Sequence, residues 1–198
     1  MKNHNDHDRK EIIKEAARNL FFQFGLAKTS MDDIAAQSNL AKPSLYYYYP
    51  KKEAIFREIV IEEVEKFIDK VEKKLPQDLP ADEKIACFFR MVYQDLKLYL
   101  KEIKNLPNTL YKNYPHGKPM VDKINDVFLE KLIPLIKMGQ AQGVLDFEDE
   151  TSTLDALVFM TDFLNLDWMM RIPEKKRDEI VEAVIRIILN GLRRRSLC

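Results

Sequence analysis

Apolar residues recur three and four apart along most of this chain. Ile12, Ile13, Ala16, Ala17, Leu20, Phe21 and Phe24 make the first such stripe, which is the spacing of one face of an α-helix. Gly25 follows as a C-terminal stop. Ser30 is then a good N-cap with Asp33 three residues on, the spacing of a capping box. The helix it opens is short, points Ile34 and Ala35 inward and ends near Ser38. Asn39 stands where a left-handed turn residue is needed, a conformation Asn tolerates better than most. A second short helix must stop by Tyr49, because Pro50 disfavours helical geometry in the residue before it. A longer helix followed by two short ones around a tight turn is a helix-turn-helix pattern.

From Lys51 the pattern coarsens into long helices. One is expected from Lys51 to about Leu75 and another from about Asp82 to Lys104. A third runs from about Met120 to Gln142, with Gly143 closing it and Pro134 expected to kink or split it. Two more are expected over Glu150–Arg171 and Glu174–Arg194, divided by Pro173. No segment alternates with period two. The expected fold is all-α with about nine helices, in two parts: residues 1–50, a helix-turn-helix domain, and residues 51–198, a larger helical domain.

Composition adjusts this picture in a few places. The 198 residues hold only 5 Gly and carry no apolar run near membrane-spanning length, so no membrane partner is expected. The opening Met1–Asp8 is polar, is the one stretch expected to be disordered, and lacks the apolar core of a signal peptide, so a cytoplasmic protein is expected. Cys87 and Cys198 form no disulfide framework or metal spacing; Cys87, inside ACFF, reads as a small core residue. His4, His7 and His116 are scattered. No metal site and no cofactor are expected. Net charge is zero, which argues against binding nucleic acid by bulk charge. Yet residues 34–52 contain no Asp or Glu while holding Lys42, Lys51 and Lys52, a local positive patch.

That patch surrounds KPSLYYYYPKKEAIF, residues 42–56. At about 100° per residue, Leu45 and Tyr49 share one helix face, while Pro43, Ser44, Tyr46, Tyr47 and Tyr48 spread over the other. Pro43 falls in the first turn, where its missing N–H costs nothing. An exposed short helix with three phenols and flanking lysines fits a DNA groove. Its N-terminal residues can reach base edges, hydroxyls and ammonium groups can hold phosphates, and ring edges can touch thymine methyls. The competing reading is an aromatic protein–protein patch on a helical scaffold that binds no DNA. Enzyme chemistry has little to stand on: there is no metal-binding pair, nucleophile elbow or phosphate-cradling glycine loop, and Glu62 and Glu63 read as a solvated face.

TSMDDIAAQSNLAKPSLYYYYPKKEAIF, residues 29–56, resembles the DNA-binding signature of the TetR family of transcriptional regulators. The quoted segment is about a seventh of the chain; beyond it only the helical architecture, GQAQGVLDFED and ILNGL are similar. It implies a homodimer that binds a palindromic operator in double-stranded DNA. The larger domain would bind a small effector and dimerise through its last two helices. Repressors are the majority in the family and activators occur. Carried over residue by residue, Thr29 and Ser30 match phosphate contacts at the start of the second helix. Lys42, Pro43 and Ser44 open the recognition helix. Tyr46 matches a recurrent phosphate or base contact, Tyr47 a variable position that reads bases, and Tyr48 and Lys52 phosphate contacts. Leu45 and Tyr49 match core positions. Asn39 replaces the usual turn glycine, Ala41 the usual serine cap, and Tyr49 the usual phenylalanine.

The larger part supports assembly independently. LVFMTDFLNLDWMM and IVEAVIRIILNGL are apolar on more than the one stripe a monomer's helix needs. Leu157, Leu164, Val184 and Ile188 are the candidates for a dimer interface. Phe89, Tyr93, Tyr111, Phe128, Met138, Phe163 and Trp168 are candidates to line a pocket for an apolar or amphipathic effector, with Phe88, Met91 and Phe159 beside them. Aromatic and methionine content suits an adaptable pocket, and plain core is the competing reading for each residue. Asp162 and Asn165 could fix a polar group of the effector, or face solvent or the partner.

Overall fold

A computed structural model describes residues 2–103, 117–161 and 172–193, and among these the chain is helical. Eight helices follow in order: α1 (Lys2–Phe24), α2 (Met31–Gln37), α3 (Lys42–Tyr48), α4 (Lys52–Lys74), α5 (Ala81–Ile103), α6 (Gly117–Ala141), α7 (Glu150–Thr161) and α8 (Glu174–Leu192). The described residues contain no strand; a single isolated bridge joins Leu145 and Arg193. None of these helices is long and apolar enough to cross a membrane.

Local chemistry places the breaks. Gly25 has φ 82° and Asn39 φ 54°, both left-handed. At Asn39 the amide of Leu40 donates to the Ala35 carbonyl at 3.0 Å and that of Asn39 to Ala36 at 3.2 Å, the Schellman pattern that closes a helix. Gly143, at φ 69°, closes α6 in the same way. There Val144 N–H donates to Gly139 O at 3.0 Å and Gly143 N–H to Gln140 O at 2.9 Å.

Three expectations are corrected. The opening stretch is helical from Lys2 rather than a loose tail, and Tyr48 holds it by donating to Asp6. Pro134 does not split α6. It lies on an exposed face, where water can serve the carbonyl that its missing N–H leaves free. Cys87 is half-buried rather than in the core.

The chain divides into two compact units. One holds α1 to α3 and α4 as far as Val64; the other takes α4 from Glu65, α5 to Lys101, and the helices from Asp122 on. The first unit is built on Ile13, Ala17, Phe21, Leu26, Ile34, Ala35, Leu45, Tyr49, Ile55 and Ile59. From α1 this takes every fourth residue. Ile12 and Phe24, expected on the stripe, remain exposed, because so short a domain covers only a narrow face. The second unit buries Ile68, Val71, Ile85, Phe88, Phe89, Leu132, Ile136, Val181, Ile185 and Ile188 among others.

Candidate nucleic-acid interface

The interface begins with how α2 is fixed. Ser30 accepts from the Asp33 amide at 3.1 Å, and the Asp33 carboxylate accepts from the Ser30 amide at 2.8 Å. This completed capping box satisfies two orphan donors of the helix start. The hydrogen bonds from the Ser30 hydroxyl and amide hold the Asp33 carboxyl below its ordinary range. The stability this adds is full above that range and is lost as pH falls through the lowered value.

α3 turns Leu45 into the core, with Tyr48 packed partly against it, and shows its other face to solvent. Leu45 is completely buried, worth about 1.5–3 kcal/mol. Tyr49, one residue past the helix, is buried beside it. Opposite them Tyr46 is 49% and Tyr47 78% exposed, with Lys42 and Pro43 exposed and Ser44 and Tyr48 half-exposed. Tyr47 and Tyr48 meet edge to face, centroids 5.1 Å apart.

Two sequence candidates stand elsewhere. The Thr29 side chain is buried and donates to Gly25 O at 3.0 Å. The Lys52 ammonium donates to the carbonyls of Leu26 at 2.8 Å, Ala27 at 3.3 Å and Thr29 at 2.6 Å, tying the loop between α1 and α2 to the start of α4. Lys52→Ala should therefore lower the melting temperature, by about 1–3 kcal/mol of stability, as three carbonyls lose one charged donor. Thermal denaturation followed by circular dichroism checks this.

In the second unit Phe89 and Tyr93 are buried, and Phe128 and Met138 half-buried. Phe128 meets Phe88 edge to face at 6.3 Å. Tyr93 donates to Asp178, and Lys97 lies 5.7 Å above its ring. Burial, then that carboxylate, raises the Tyr93 phenol's pKa. Two surface grooves of this unit are lined by Arg90, Glu182, Leu189 and Arg193 and by Leu79, Glu83, Cys87 and Arg90. None of the four pocket candidates lines either groove. Of the interface candidates, Leu157 and Ile188 are buried in their own unit and Val184 is half-buried. Tyr111, Phe163, Trp168, Leu164, Asp162 and Asn165 lie outside the described residues.

Residues 13–59, which hold α2, α3 and their anchors, match the profile of bacterial regulatory proteins, tetR family. The helix-turn-helix segment is of the TetR type. A TetR-type transcriptional regulator thus accounts for the helix-turn-helix and the exposed α3. Over 185 residues it is 24% identical to the uncharacterised HTH-type transcriptional regulator YhgD of Bacillus subtilis, covering 93% of this chain and 97% of that one. Over 127 residues it is 28% identical to IcaR of Staphylococcus epidermidis, the HTH-type negative regulator of the biofilm operon icaADBC, covering 63% of this chain and 67% of that one. The fold is also that of Thermus thermophilus FadR, a TetR-family repressor solved with lauroyl-CoA. TM-score is 0.65 and identity 24%, covering 96% of this chain and 98% of that one.

Against the TetR signature, the three departures have distinct consequences. Asn39 adopts the left-handed turn that glycine usually supplies. Ala41 gives α3 no side-chain cap, a loss of about 1 kcal/mol. Tyr49 buries a hydroxyl that lies by Glu58 without a hydrogen bond of good geometry. Burial, then the Glu58 carboxylate, pushes this phenol's pKa well up. Tyr49→Phe, the family's residue, should stabilise the TetR-type domain by about 1 kcal/mol, and a lower melting temperature would contradict the assignment. Sequence reasoning missed Asp6 and Asp32. The acid-free window around α3 holds along the chain, but folding brings both carboxylates to that helix.

Proposed function

We propose that the chain is a cytoplasmic, homodimeric repressor, a binding protein rather than an enzyme, that reads a palindromic operator with α3 and is released by a small effector. The observation that carries the DNA reading is the exposed face of α3. Tyr46 and Tyr47 stand in solvent on the face opposite the buried Leu45. In this reading Tyr47 meets base edges, while Lys42, Pro43, Ser44, Tyr46, Tyr48 and Ser30 serve the backbone and groove wall. Thr29 and Lys52 act by holding the loop. Residues 1–50 carry DNA binding, and residues 51–198 carry the effector and the dimer contact.

Support for the dimer comes from α8. Beyond its buried stripe it carries a second one, Ile180, Val184, Ile187 and Gly191, spaced four, three and four as in a helix–helix seam. Ile187 is 64% exposed. A side chain added at Gly191 would meet nothing within 4 Å, so a second helix can approach closely. Repression is supported by the likeness to IcaR, a negative regulator. An apolar or amphipathic effector is supported by the likeness to FadR, solved with lauroyl-CoA, and by the aromatic side chains Phe89, Tyr93 and Phe128.

The effector acts by differential affinity. α4 contributes residues to both units, so a compound that displaces it changes the spacing of the two recognition helices. It must bind the mis-spaced state better, since only that difference moves the equilibrium. Operator DNA must then weaken the compound by the same factor. Calorimetry of an effector found by thermal-shift screening, with and without the DNA upstream of the protein's own gene, tests this. Equal affinities in the two titrations would refute release through α4.

A further inference from the structure

We infer that Asp6 and Asp32 are built-in anionic competitors of duplex DNA, holding in the free protein two of the α3 donors that phosphate would take; this rests on the DNA-binding reading above. α3 has one ammonium group, Lys42, and its Nζ donates to Asp32 Oδ2 at 2.6 Å, both side chains well exposed. The Tyr48 hydroxyl donates to Asp6 Oδ1 at 2.9 Å. The two acids come from different helices, α2 and α1, and lie within the same unit. A phenol has a single proton to give, so while Asp6 holds it Tyr48 has none for phosphate. Partial burial, then the Asp6 carboxylate, raises the phenol's pKa, with Arg9 opposing, and the proton stays on the oxygen.

The energetic consequence is a reduction of binding that does not depend on sequence. Each phosphate contact by Lys42 or Tyr48 must displace a carboxylate, which then remains beside the DNA backbone. Non-specific affinity is almost wholly electrostatic. Contacts to base edges from Tyr47 are untouched by either acid. Asp6 and Asp32 therefore lower binding to random sequence more than binding to the operator. In a chain of zero net charge, they keep a local basic helix from holding the protein on arbitrary DNA.

The test uses the full-length protein and a fluorescently labelled duplex of mixed sequence. Asp32→Ala and Asp6→Ala should each tighten binding about two- to fivefold, the range expected for releasing one exposed pair. Asp32→Ala should also steepen the dependence of log affinity on log salt by about one unit, because Lys42 now neutralises a phosphate without a partner. The gain from Asp32→Ala should vanish in a Lys42→Gln background, and that from Asp6→Ala in a Tyr48→Phe background. A merely structural role would not produce that pairing. Neither substitution touches the buried core or the Ser30–Asp33 cap, and circular dichroism checks that each variant is folded. Unchanged or weaker binding by both variants, with the wild type binding duplex, overturns the inference. Failure of every form, wild type included, to bind any duplex overturns the DNA-binding reading and the inference with it.

Discussion

Ile187→Asp should convert the proposed homodimer into folded monomers. Ile187 stands 64% exposed on the outer stripe of α8, between Val184 and the open position at Gly191. Most of its surface is in solvent rather than in the core of its own unit, so an aspartate there should leave the protomer intact while placing two carboxylates face to face across a two-fold seam. The neighbouring Ile188→Asp is the contrast. Ile188 is buried in its own unit, and an unpaired charge there should unfold the protomer rather than separate two of them. Sedimentation velocity distinguishes the outcomes: monomer mass with wild-type helicity for Ile187→Asp, lost helicity or aggregation for Ile188→Asp. The monomer should bind an operator more weakly by roughly 10²–10⁴, the advantage that linking two sites supplies. A dimer that survives Ile187→Asp places the seam elsewhere.

Tyr47→Ala has the second large effect. The ring is 78% exposed and makes a T-shaped contact with Tyr48. Truncating it should leave stability within about 0.5 kcal/mol. If Tyr47 reads bases, affinity for the protein's own upstream DNA should fall by about 1–3 kcal/mol per half-site, with the preference relaxed at the position it reads. Binding to a mixed-sequence duplex should hardly change. Equal losses on both duplexes would instead make Tyr47 a backbone contact.

The parts of this molecule that were legible in the sequence are those whose partners are close along the chain. Ser30 and Asp33 are three residues apart and cap each other, and Asn39 and Gly143 close their helices with bonds to carbonyls three to five residues back. The TetR signature is readable for the same reason, being one continuous segment. What α3 and Lys52 touch was not legible. Lys42 finds Asp32 ten residues away, Lys52 finds Thr29 O twenty-three away, and Tyr48 finds Asp6 forty-two away. An acid-free stretch of sequence says nothing of acids that another helix delivers. Helix phase was the other obstacle. An apolar run such as IVEAVIRIILNGL offers both Ile187 and Ile188, and only packing decides that Ile188 turns inward and Ile187 out. Tyr93 was readable as a buried aromatic, but its bond to Asp178 spans eighty-five residues.

Hydroxyl-radical footprinting on the DNA upstream of the protein's own gene tests the central claim, that α3 of each protomer enters a groove of one palindromic site. The account predicts two protected patches on one face of the duplex, centred one helical turn apart, about 34–36 Å, or a multiple of that. Tyr47→Ala should weaken both patches together. A single patch, uniform coating of the fragment, or no protection at concentrations where the protein is dimeric would contradict it.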